Sequence, residues 1–113
     1  MTKIQAIIRE ERVDAVVERL VLIGVRGLTL SAVKGSGSHG NDHFAIFRGG
    51  TYKVDFLSKV LLEWVGPEDD ADGVARAIEQ QGATGKLGDG RIFISHVEEA
   101  VRIRTGERGL EAV

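Results

Sequence analysis

Residues 53–65 read Lys-Val-Asp-Phe-Leu-Ser-Lys-Val-Leu-Leu-Glu-Trp-Val, and Gly66-Pro67 follow. A run so rich in Val, Leu, Phe and Trp, closed by a breaker pair, predicts one long strand. Pro67 suits the first turn of a helix, and Glu68, Asp69 and Asp70 fall near its positive end. Ala71, Val74, Ala75 and Ile78 recur at helical spacing and predict an apolar face. Gly82 and Gly85 are placed to end that helix, and residues 91–96 and 100–104 read as short strands. The second half of the chain is therefore strand, helix, strand.

The first half repeats the order without repeating the letters. Residues 3–8 suit a strand. Across Arg9 to Leu22, the residues Val13, Val16, Val17, Leu20 and Val21 predict one buried helix face. Gly24 suits a left-handed C-terminal cap. Residues 27–34 alternate and read as the second strand. Residues 35–52 hold Gly35, Gly37, Gly40, Gly49 and Gly50 with little apolar periodicity. Loops longer than ~12–15 residues in a compact domain usually carry function. Two such halves around a long loop are the pattern of an α+β, ferredoxin-like βαββαβ sandwich, with that loop between strands 2 and 3. Both helices fall on one face of such a sheet. The apolar strand residues left on the other face predict that another subunit covers it.

Composition bounds the rest. The chain has 113 residues, 15 Gly, one Pro, no Cys and a formal net charge of −2. The length suits one domain, 1–113. Without thiols there is no disulfide frame, cysteine nucleophile or Cys-bound zinc. The balanced charge gives no basic field for nucleic acid. No stretch is long and apolar enough to insert in a membrane, and the start lacks a secretory pattern. The expected location is the cytoplasm.

Three motifs carry possible chemistry. Gly35-Ser36-Gly37-Ser38-His39-Gly40 matches G-x-G-x-x-G in letters, but no helix pattern follows it, so it reads as the base of the loop. His39, Asp42 and His43 sit where no helix or strand fixes their geometry, so no metal site is expected. Thr84-Gly85-Lys86-Leu87-Gly88-Asp89-Gly90-Arg91 reads as a tight helix-to-strand turn. Its glycines tolerate positive φ, which lets backbone N–H groups converge on phosphate oxygens. Lys86 and Arg91 add charge at its ends. In a strand at 100–104, Arg102 and Arg104 would share one face and form a fork for phosphate or carboxylate; surface ion pairs are the plain alternative. No acid–base dyad stands out, so an enzyme is not expected. A slow ATPase would have only His39 or Asp89 to orient water.

Together, TGKLGDGRIF at 84–93 and VRIRTGERG at 101–109 resemble the PII signal-transduction family, the nitrogen regulatory proteins. Ala6-Ile7-Ile8, Ile23 to Leu30, Val33-Lys34-Gly35-Ser36-Gly37 and Arg48-Gly49-Gly50-Thr51-Tyr52-Lys53-Val54-Asp55-Phe56-Leu57 extend the resemblance over essentially the whole chain. It implies a homotrimer that binds ATP or ADP, and AMP as a further candidate, in clefts between subunits, with Mg accompanying ATP. It implies that Gly88, Asp89, Gly90, Arg91, Arg102 and Arg104 hold phosphates. It places Thr29, Gly35, Gly37 and Val65 on the adenine and ribose side. The segment 36–55 becomes the T-loop, an arm for target proteins such as an ammonium or bicarbonate transporter or a metabolic enzyme. Arg48 matches its transporter-contacting arginine, and Tyr52 matches a tyrosine that some members have nucleotidylated.

The sequence also departs from the family pattern. Many members sense 2-oxoglutarate through a loop-base glutamine, and there is no Gln between residues 6 and 79. Ser38, His39 and Gly40 occupy that region instead. Arg9, His39, Lys59 and Gly88 are the expected effector-anion residues. The missing glutamine counts against a 2-oxoglutarate response and leaves the anion open, with 2-oxoglutarate in nitrogen regulation as one reading. The alternative is bicarbonate sensed with ADP or AMP, as in PII-like regulators of inorganic-carbon metabolism near carboxysome or bicarbonate-uptake systems. A ligand-free structural trimer, with Arg102 and Arg104 tied up by carboxylates, is a third reading.

Overall fold

The computed structural model describes residues 1–35, 44–47, 50–53 and 57–113. Strand β1 (Thr2–Arg9) leads through a 3-10 turn (Glu10–Arg12) into helix α1 (Val13–Leu22) and strand β2 (Thr29–Gly35). Strands β3 (Phe44–Phe47) and β4 (Gly50–Lys53) pair with each other as a separate antiparallel ribbon. Strand β5 (Leu57–Gly66), helix α2 (Glu68–Gly82) and strand β6 (Gly90–His96) complete the order, and a 3-10 turn (Gly109–Ala112) lies near the C-terminus.

Strands β2, β5, β1 and β6 form a four-stranded sheet in that order, with every pairing antiparallel. With the ribbon set aside, this is the expected ferredoxin-like βαββαβ topology. Residues in β1 alternate between buried and half-buried along its length. Ile4 faces Trp64 and Ala6 faces Leu62 across the β1–β5 pair. These side chains join Ile8 of β1, Val16 and Leu20 of α1, and Ala71, Val74, Ala77 and Ile78 of α2, in one buried core. Both helices therefore lie on one face of the sheet.

The end of α1 shows its sequence logic. Val25 N–H donates to the Leu20 carbonyl at 2.9 Å, and Gly24 N–H donates to the Val21 carbonyl at 3.0 Å. Gly24 has a φ of 96°. This is a Schellman closure, and glycine is the residue that adopts the required left-handed conformation without a Cβ penalty.

The opposite face of the sheet is open in the single chain. It presents Ile7 and Leu61 half-buried, and Phe93 at 51% exposure. Lys3 and Gln5 both reach the Glu63 carboxylate, at 3.0 Å and 3.5 Å.

Several expectations are corrected. Residues 53–65 are not one strand, since β4 ends at Lys53 and β5 starts at Leu57. The stretch 35–52 is not wholly irregular, because Phe44–Phe47 supplies strand-forming residues that pair with Gly50–Lys53. Helical geometry starts at Val13 rather than Arg9, behind the 3-10 turn. Of the predicted α1 face, only Val16 and Leu20 are fully buried, and Val21 is 59% exposed. Residues 100–104 do not form a strand: the segment folds back on itself through one bridge, Val101 to Arg108. A strand needs a ladder, and the turn at Gly106, with φ 75°, prevents one here.

Candidate functional site

Antiparallel pairing gathers one end of each sheet strand together. Gly35 at the end of β2 pairs with Leu57, and Arg9 at the end of β1 pairs with Lys59. Gly90 at the start of β6 pairs with Ile8. The turn 84–91 sits at this same end, so Arg9, Gly35, Lys59, Gly88, Asp89, Gly90 and Arg91 are brought together.

The turn is held by one carboxylate. Asp89 Oδ2 accepts from the backbone N–H groups of Thr84 at 2.7 Å and Gly85 at 2.9 Å. Asp89 Oδ1 accepts from the Thr84 hydroxyl and from Arg9 Nε, the latter at 2.8 Å. These donors stabilise the charged form, so Asp89 titrates far below the ordinary carboxylate range; the Thr84 hydroxyl is the largest cause and Arg9 the next. Reciprocally, the Asp89 hydrogen bond raises the Arg9 guanidinium further above its usual value.

Cations face the turn from the sheet. Arg9 Nη2 donates to the Leu87 carbonyl at 2.7 Å. Lys59 Nζ donates to the Gly88 carbonyl, and Lys59 is 5% exposed. Gly85, Gly88 and Gly90 have φ of 82°, 95° and 105°, as the glycine pattern requires. Gly90 is also sterically obligatory, because a Cβ there would collide with the Ile7 carbonyl. Arg91 is exposed at the mouth of the turn.

Arg102 and Arg104 lie elsewhere. After β6 the chain passes the start of β1, where Val97 N–H donates to the Met1 carbonyl at 3.0 Å. Leu110 and Val113 line a cavity of about 590 Å³ with Val65, Gly66 and Pro67. The base of the arginine loop is thus at the opposite end of the sheet from the glycine turn. Arg102 pairs with Glu107 at 2.9 Å, and Thr105 Oγ1 donates to the same carboxylate oxygen at 2.8 Å. Arg104 and Arg91 are exposed, and so is Ile103 beside Arg104, completely. The expected common strand face for Arg102 and Arg104 is not formed.

Thr29 and Val65 also lie toward that far end, pairing with Glu63 and Lys3. Lys3 is five residues along β1 from Ile8, the partner of Gly90, about 17 Å at a strand rise of ~3.3 Å per residue. One chain therefore holds two separated halves of the expected nucleotide site. Tyr52 lies within β4, opposite Ala45. Gly37, His39 and Arg48 are outside the described residues. Among the described residues no cluster of three His, Cys, Asp or Glu side chains has metal-binding geometry, and no helix is long and apolar enough to cross a membrane.

Sequence reasoning passed over Thr84 and Glu107. The signal for Thr84 was present: a helix-ending Thr-Gly followed by an Asp within reach favours side-chain-to-amide hydrogen bonds. Glu107 gave no such signal, because its pairing with Arg102 depends on the fold-back at Gly106.

A family model described as Nitrogen regulatory protein P-II matches residues 1–107. Curated relatives bearing the name Nitrogen regulatory protein P-II match over 113 residues, covering 100% of this chain and of each relative. They include those of Rhizobium meliloti (strain 1021) at 46% identity, Haemophilus influenzae (strain ATCC 51907 / DSM 11121 / KW20 / Rd) at 46% and Cereibacter sphaeroides at 48%.

Proposed function

The chain belongs to the nitrogen regulatory protein P-II family, and from that premise we propose that it is a signal-transduction regulator that binds adenine nucleotides between subunits of a homotrimer and acts on target proteins through segment 36–55. The observation that carries this reading is the turn 84–91. Three positive-φ glycines and a saturated Asp89 hold its backbone in one conformation, and a rigid set of amides suits phosphate without the entropic cost of ordering a loop. Gly88, Gly90 and Arg91 hold the phosphates on one subunit. Arg102 and Arg104 approach from a neighbouring subunit, because their loop leaves the opposite end of the sheet. Thr29, Gly35, Gly37 and Val65 surround the adenosine portion. The open sheet face, with Phe93, Ile7 and Leu61, is the surface on which subunits associate.

Arg102 exchanges its Glu107 partner for a phosphate when nucleotide binds. Charge-assisted hydrogen bonds of this type contribute roughly 1.5–3 kcal/mol each. Calorimetry with ATP, ADP and AMP, with and without Mg, tests the reading. Binding that weakens at least tenfold in Arg102→Ala/Arg104→Ala supports it, and undiminished binding by that variant removes the residue assignment.

A small carboxylate is the second ligand. Arg9 and Lys59 converge on the Leu87 and Gly88 carbonyls, and His39 is the third side chain assigned to this anion. Titrating 2-oxoglutarate and bicarbonate against the ATP- and ADP-loaded protein decides between a nitrogen and an inorganic-carbon signal. A target such as an ammonium or bicarbonate transporter is then engaged through the loop carrying Arg48 and Tyr52. Tyr52 is the candidate modification site. Mass spectrometry of the protein isolated from its host tests for a nucleotidyl adduct there.

A further inference from the structure

We propose that Asp89 is a positioning residue, not a ligand, and that with Arg9 and Lys59 it aims the amides of the turn at the phosphates; this rests on the nucleotide reading above. Both carboxylate oxygens of Asp89 are engaged by four donors: the Thr84 N–H, Gly85 N–H, Thr84 hydroxyl and Arg9 Nε. A carboxylate offers about four lone-pair sites, so Asp89 has no acceptor left for a ligand. A carboxylate in contact with phosphate would also repel it.

The geometry of the peptide unit supplies the second half of the argument. In a trans peptide the C=O and N–H point in opposite directions. No cis peptide bond occurs among the described residues. Arg9 holds the Leu87 carbonyl and Lys59 holds the Gly88 carbonyl. The N–H groups of those two peptides belong to Gly88 and Asp89. Each is consequently turned away from the cation that holds its carbonyl. Two consecutive amides aimed one way make an anion cradle. The cations of the sheet thus orient donors that they never touch, and Asp89 fixes Arg9 in the place from which it does so. The effector-anion residues and the phosphate turn become one mechanical unit, joined by side chains 80 and 29 residues apart in sequence.

The experiment measures ATP and adenosine binding by the full-length protein and its Asp89→Asn, Arg9→Gln and double variants. The amide resonances of Gly85 and Gly88 are recorded without ligand. Thr84→Val, which removes one donor to Asp89, stands in should Asp89→Asn fail to fold. The expected result is that each single variant weakens ATP on the order of tenfold or more, as removal of an orienting partner does elsewhere. The double variant should lose little beyond the worse single one, and adenosine affinity should stay unchanged. Arg9→Gln should shift the Gly85 and Gly88 amides in the ligand-free protein. Equal loss of ATP and adenosine overturns the proposal in favour of a merely structural role. Strictly additive losses, or unshifted amides in Arg9→Gln, overturn it as well. A wild-type protein that binds neither ATP nor ADP overturns the nucleotide reading itself, and this positioning role with it. Wild-type binding with any of the preceding results removes the positioning role alone.

Discussion

Gly90 stands where the turn enters β6, with a φ of 105° and the Ile7 carbonyl in the space a side chain would take. Gly85, five residues earlier, has a φ of 82° and nothing within 4 Å of its missing Cβ. Alanine at Gly85 should cost only the left-handed conformation, about 1–2 kcal/mol. Alanine at Gly90 should cost clearly more, because the obstacle is backbone and β6 must move away from β1. Denaturant unfolding of the two variants checks the order, and equal losses would contradict the geometry. The glycine pattern was legible in the sequence at both sites, but the collision at only one of them was not, since it comes from Ile7, in a strand distant in sequence. Asp89 gives a pH prediction at the same scale. Its folded pKa is depressed below the unfolded value of 3.8. The stability it contributes is therefore present above that value and is lost as pH falls through and below it. Acid unfolding of Asp89→Asn should lack this component, so the wild-type advantage over the variant should shrink steadily below about pH 4.

At the scale of elements, α1 shows how periodicity both succeeds and overreaches. The 3.6-residue spacing placed Val16 and Leu20 correctly, and both are completely buried. It also claimed Val21, which is 59% exposed, because spacing alone does not say how wide a stripe the neighbouring sheet covers. Leu20→Ala should cost about 2–5 kcal/mol. Val21→Ala should change stability by less than about 0.5 kcal/mol. Thermal unfolding of the two variants measures the contrast. The segment 100–104 shows the converse error. Val101-Arg102-Ile103-Arg104 alternates like a strand, but β6 is the sheet edge and no further strand lies beside the segment among the described residues. Alternation records what a strand would do if a partner existed; it does not supply the partner. The long third strand failed for a related reason. Residues 53–65 look continuous in composition, yet the chain serves two ladders, β4 with β3 and β5 with β1 and β2.

At the scale of the whole molecule, the two halves of the proposed nucleotide site lie at opposite ends of one sheet, and the open face is partly apolar. On the proposed reading, two chains share that site. This makes complementation the informative measurement. Arg91→Ala and Arg102→Ala/Arg104→Ala homotrimers should each bind ATP weakly at all sites. Mixed trimers unfolded and refolded together should regain a fraction of wild-type sites, since some junctions then receive an intact turn from one chain and both arginines from the next. Calorimetric stoichiometry of the mixture reads that fraction, and no recovery would place the arginines in the same half-site as the turn.

The sequence by itself determined the βαββαβ order of the main sheet and its helices, the helix stops, the glycine turn and the family, because these depend on residues near each other in the chain: apolar spacing, a Gly at a cap, glycines within a turn. The tertiary structure decided which distant residues meet. Arg9 reaches Asp89 across 80 residues, and Lys59 reaches Gly88 across 29. It also decided that Arg102 pairs with Glu107 and starts from the far end of the sheet. The physical reason is register. Antiparallel pairing of β1 with both β5 and β6 sets which strand ends coincide, and that choice is made by burying Ile4, Ala6, Ile8 and Leu62 together against the helices, a sum over the whole core that no local stretch of sequence contains.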